Sequence, residues 1–128
     1  MSTIVALTVF AALPVRDLAE ASQWYGALLG REPDARPSPG IVDYYLAEGG
    51  EPERGTLQLR EDAARAGGGL ATINVADING VAGALANLGV ALDTQVFPIE
   101  AETVSAVTVG TFEDPDGNAI TIVQPHSR

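Results

Sequence analysis

The chain has 128 residues and a formal net charge of −10, with seven arginines, no lysine, one histidine and no cysteine. Phosphate recognition needs a basic face, so this balance excludes nucleic acid as a partner, and the lack of cysteine excludes disulfides, thiol nucleophiles and thiolate zinc sites. With 46% hydrophobic and 19% charged residues, the composition fits one folded domain over residues 1–128 and gives no case for disorder.

The apolar opening MSTIVALTVFAALPV is too short to span a bilayer and lacks a basic leader, so a cytoplasmic protein without a membrane partner is expected. A strand-like run covers 4–13. An amphipathic helix follows between Asp17 and Gly30, with Leu18, Ala21, Tyr25 and Leu28 on one stripe and Trp24 and Leu29 beside it. Asp17 reads as its N-cap, Glu20 as the second half of a capping box, and Gly30 as a left-handed stop. Strands are predicted over 33–37, 41–47 and 55–61, separated by Pro37-Ser38-Pro39-Gly40 and Gly49-Gly50-Glu51-Pro52. The glycine-rich stretch 63–69 reads as an exposed, flexible connection. A strand over 69–76 leads into a second helix between Asp77 and Gly89, whose apolar stripe is Ile78, Val81, Ala82, Leu85 and Leu88. Strands over 91–98, 103–112 and 118–124 complete the chain, the last two joined by an Asp114-Pro115-Asp116-Gly117-Asn118 turn. His126, the single histidine, falls in a tail expected to be disordered, which leaves no Ser-His-Asp triad or histidine-rich metal site.

The two helices repeat each other. Val15-Arg16-Asp17-Leu18 and Val75-Ala76-Asp77-Ile78 open them, with the capping aspartates 60 positions apart, and Leu29-Gly30 and Leu88-Gly89 close them. The chain therefore reads as a duplicated βαβββ unit of α+β class: module one over about 4–62, a linker over 63–69, and module two over about 70–124.

On the segments LPVRDLAEASQWYGALLG and TFEDPDGNAITIV, the sequence resembles the vicinal oxygen chelate superfamily, which includes glyoxalases, extradiol dioxygenases and bleomycin-resistance proteins. The resemblance implies a cup-shaped mixed sheet with the helices on its outer face, closed by pairing of two chains into a homodimer. Enzymatic members hold a divalent metal through three side chains, and those positions fall here on Phe10, Leu70 and Thr121. A phenyl ring, an isobutyl group and a neutral hydroxyl make no such site, so neither metal, cofactor nor catalytic residue is expected.

Strand alternation independently selects the residues of the free sheet face. It places Thr56, Gln58 and Arg60 together, Leu70, Thr72 and Asn74 together, Asp43 beside Tyr45, and Thr121 beside Val123; the resemblance adds Thr8, Phe10 and Ala12. Antiparallel sheets commonly leave one face wet, so Thr56, Gln58 and Thr72 read equally well as solvated. Trp24 and Tyr25 read as core. The candidate ligand-binding set is Phe10, Tyr45, Gln58, Arg60, Leu70, Asn74 and Thr121, which suits stacking, apolar contact and neutral hydrogen bonds. The sequence thus predicts a metal-free protein that sequesters a hydrophobic or aromatic natural product, in the manner of antibiotic self-resistance toward bleomycin or an enediyne. The alternatives are a glyoxalase- or dioxygenase-like enzyme with displaced ligands and an accessory subunit whose cup is covered by a partner.

Overall fold

The computed structural model describes residues 3–128. Its elements run β1 (Phe10–Val15), α1 (Leu18–Leu29), β2 (Ala35–Ser38), β3 (Ile41–Tyr45), a 3-10 turn (Pro52–Arg54), β4 (Thr56–Glu61), β5 (Leu70–Asn74), α2 (Ile78–Asn87), β6 (Thr94–Pro98), β7 (Val104–Glu113) and β8 (Ala119–Ser127). The class is α+β, and the βαβββ unit occurs twice, as the repeat predicts. Each unit makes its own four-stranded mixed sheet, in the orders β1-β4-β3-β2 and β5-β8-β7-β6, with β1 parallel to β4 and β5 parallel to β8. The edge strands β1 and β5 approach one another between the two sheets.

Both helices begin at the capping aspartates that the sequence marks, though the Glu20 side chain does not close a capping box. Asp17 accepts from Glu20 N at 3.1 Å and Asp77 from Gly80 N at 3.2 Å, each satisfying one otherwise orphaned amide of a first turn. A second acceptor reaches each helix start from the strand beside it. Glu61 Oε2 accepts from Leu18 N and Gln124 Oε1 from Ile78 N, both at 2.9 Å. These partners occupy corresponding places in β4 and β8, so the duplication extends to the way each helix is tied to its sheet.

One apolar core joins the halves. Leu13, Val15, Leu57 and Leu59 from the first sheet, Phe112, Ile120 and Ile122 from the second, and Tyr25 and Leu85 from the helices are buried in a single cluster. Trp24 and Tyr25 meet edge-to-face with ring centroids 5.0 Å apart, and Trp24 also lies 6.2 Å from Phe112 of the second sheet. Both therefore pack as expected.

Four expectations are corrected. The run 4–13 is a strand only from Phe10 onward. Its ladder partner begins at Thr56, so residues before Phe10 have no β4 backbone to pair with. The linker is not a loose connection at its end: Gly67 has φ +86° and lies so close to the Asp116 carbonyl that a Cβ there would overlap it. His126 belongs to β8, its Nε2 2.6 Å from the Thr108 hydroxyl. Thr56 is buried, because the 3-10 turn folds over it and the Pro52 carbonyl accepts from its hydroxyl at 2.8 Å. Among the described residues no helix is long and apolar enough to cross a membrane.

Candidate functional site

The sheet faces turned away from the core carry the candidate residues, and the register shows how they are grouped. In the first sheet Phe10, Thr56 and Tyr45 stand in one cross-strand row, and Ala12, Gln58 and Asp43 in the next. In the second, Leu70, Ala119 and Glu113 form one row, and Thr72, Thr121 and Thr111 another. Side chains in such rows point the same way, so alternation correctly grouped these residues within each sheet.

Their individual settings differ. Phe10 is 38% exposed and Leu70 83% exposed, so each opens its strand with a large apolar group facing outward. Tyr45 is half-buried; its amide donates to Asp34 Oδ2 at 2.8 Å and its carbonyl accepts from Arg31, which also pairs with Asp34. Gln58 Nε2 donates to Asp43 Oδ1 at 2.9 Å, and Asp43 is only 4% exposed. That carboxylate is hydrogen-bonded rather than abandoned, which is what its burial requires. The Thr121 and Thr111 hydroxyls are 2.9 Å apart. Arg60 is exposed and makes no ion pair among the described residues, and Asn74 is exposed at the end of β5.

A divalent metal does not fit this arrangement. Phe10 and Leu70 offer no lone pair, the Thr121 hydroxyl is engaged with Thr111, and a neutral alcohol is a poor ligand. Among the described residues no group of three or more His, Asp or Glu side chains could hold a metal ion.

Alternation did not reveal a cleft on the helix-bearing side. It has a volume of about 840 Å³ and lies between α1, α2 and the β1–β5 seam, with Leu28, Leu46, Ile73, Val81 and Phe112 in its walls. Glu48, Arg54 and Asp77 border it, and of the candidate set only Asn74 lines it.

The chain is thus a two-module α+β protein, each sheet covered by a helix on one face and displaying apolar and polar side chains on the other, Asp43, Arg60 and Glu113 among them. It belongs to the Glyoxalase/Bleomycin resistance protein/Dioxygenase superfamily, whose family model matches residues 7–122. Among solved structures it is similar to a glyoxalase/bleomycin resistance protein from Catenulispora acidiphila, with 28% identity and a TM-score of 0.73 over 93% of this chain and 98% of that one. It also resembles TnmS3, an antibiotic binding protein from Streptomyces sp. CB03234, with 22% identity and a TM-score of 0.63 over 98% of this chain and 100% of that one. A virulence protein from Salmonella typhimurium shares the fold at 17% identity and a TM-score of 0.67, over 95% of this chain and 98% of that one. No curated protein matches the sequence significantly.

Proposed function

We infer that the protein binds and sequesters a hydrophobic or aromatic small molecule without metal or turnover, acting as a cytoplasmic homodimer. The observation that carries this reading is the pair Phe10 and Leu70. Large apolar groups stand outward at the two strand positions where the resemblance places metal ligands. Neutral hydrogen-bonding groups, Gln58 and Thr121, stand on the adjacent strands. Such a surface favours stacking and apolar contact over Lewis-acid chemistry. Asn74, Tyr45 and Arg60 complete the proposed contact set, with Tyr45 supplying a second ring in the same row as Phe10.

Two further features support the reading. TnmS3, which has the same fold, is an antibiotic binding protein. The exposed Leu70 and the exposed apolar residues Val5, Leu7 and Val9 need a ligand or a second chain to cover them. The acidic net charge favours a neutral or cationic ligand.

Titration calorimetry with bleomycin and with a panel of aromatic natural products tests this. Phe10→Ala should weaken binding about tenfold or more, because a stacking ring contributes roughly 0.5–1.5 kcal/mol beyond its area burial and the lost apolar contact adds to that. The ligand should be recovered chemically unchanged. A turnover product, or unaltered affinity in Phe10→Ala, overturns the reading.

A further inference from the structure

The register fixes which residues of the two modules correspond. Phe10 pairs with Thr56 as Leu70 pairs with Ala119, and Asp43 pairs with Gln58 as Thr111 pairs with Thr121. The bonds closing the two β-turn connections agree: Asp114 N donates to Asn118 O and Leu46 N to Gly55 O, both at 2.9 Å. Leu46 is therefore the counterpart of Asp114, and Gly55 that of Asn118. Counting from the capping aspartates, Ala84 answers to Trp24 and Leu85 to Tyr25. Counting along β1 and β5, Asn74 answers to Pro14 and Val9 to Gly69.

At one end of the seam between β1 and β5 these positions form a solid plug. Trp24 packs against Phe112, and Tyr25 donates to Asp114 at 2.7 Å. The Asn118 amide bridges the modules, donating to Pro14 O at 2.8 Å and accepting from Gly69 N at 2.7 Å. At the other end the counterparts are too small to do the same. The indole is replaced by the methyl of Ala84 and the bridging amide by the bare backbone of Gly55. Ala84, Gly55, Leu46, Asn74 and Val9 all line the cleft of about 840 Å³. Five counterparts of plug residues thus border one cleft, whose walls also include Tyr25 and Phe112 of the plug itself, and its volume lies in the range of small-molecule sites.

We propose that this helix-side cleft is a binding site for a flat aromatic molecule carrying a neutral, amide-like hydrogen-bonding group, a ligand that supplies what Trp24 and Asn118 supply at the other end. The walls reward such a ligand with apolar contact from Leu28, Ile73, Val81 and Phe112, and the bordering Glu48 and Asp77, against the single Arg54, disfavour an anion. The site shares Asn74 with the contact set proposed for the outward sheet faces and is otherwise separate from it, so it stands whether or not those faces bind anything.

Indole, the isolated side chain of the missing residue, is the probe. Titrated into the full chain, it should give saturable shifts in the methyl resonances of Leu28, Leu46, Ile73 and Val81, and Phe10→Ala should leave them unchanged. Ala84→Trp should abolish the saturable shifts and raise the thermal midpoint by filling the cleft. Val81→Phe, a smaller filling of the same space, should weaken indole binding at least tenfold should the tryptophan variant not fold. Non-saturable shifts, shifts confined to residues around Phe10 and Leu70, or unchanged binding in the filled variants would overturn the proposal.

Discussion

The Tyr25 phenol donates a 2.7 Å hydrogen bond to the Asp114 carboxylate, joining the helix of the first module to the β-turn of the second across a buried boundary. Asp114 is itself the hub of that turn, accepting from Asp116 N at 3.0 Å and from Asn118 N and Asn118 Nδ2 at 2.9 Å. A motif that reads as a simple hairpin turn is in fact the clasp between the halves.

Tyr25→Phe should destabilise the fold by about 1–3 kcal/mol, since it removes one donor from a buried, charged acceptor that keeps its other partners. In the parent protein, burial and the Asp114 carboxylate push the Tyr25 pKa upward. A raised pKa means the folded state holds the phenolic proton more tightly than the unfolded state. Stability from this source is therefore complete below the ordinary tyrosine pKa, near 10, and falls as the pH rises above it. Denaturant unfolding between pH 8 and 11 checks this: the alkaline loss should be smaller in Tyr25→Phe.

Asn118→Ala should cost about 3 kcal/mol or more, because the fully buried amide serves both Pro14 O and Gly69 N and its loss leaves each unpaired at the module boundary. A shift of the denaturation midpoint no larger than that of an exposed control such as Asn79→Ala would show that the bridge contributes little.

Gly67→Ala should destabilise by roughly 1–3 kcal/mol, since the position combines a left-handed φ of +86° with close approach to the Asp116 backbone. Gly83→Ala, in α2 with open space around it, should instead be neutral or stabilising. Thermal melts of the two variants side by side provide the comparison.

The purified protein should carry no stoichiometric transition metal, and chelator should leave its melting temperature unchanged. Elemental analysis showing one tightly held equivalent would mean that the placement of Phe10, Leu70 and Thr121 at the ligand positions is wrong.

Sedimentation at micromolar concentration should show a dimer, with Leu70→Glu shifting it toward the 13.2 kDa chain. Leu70 is 83% exposed, and a charge introduced into an apolar contact between chains is costly to bury. A monomer in the parent protein rules this assembly out.

The sequence by itself determined the duplication, the capping aspartates and the inward faces of β4, β5 and β8, because these depend on local periodicity and on side chains bonding to backbone a few residues away. That Phe10, Leu70 and Thr121 are no metal ligands needs only side-chain chemistry, while their standing at the ligand positions is what the resemblance implies. Only the tertiary structure decided where β1 begins, since a strand exists only where another backbone meets it. It alone revealed that Asp114, Asn118 and Gly67 lock the modules together, because their partners are far away along the chain. The cleft beside Ala84 was half visible: the repeat sets Ala84 against Trp24, but that a missing indole leaves open space follows only once the register and the packing of both modules are known.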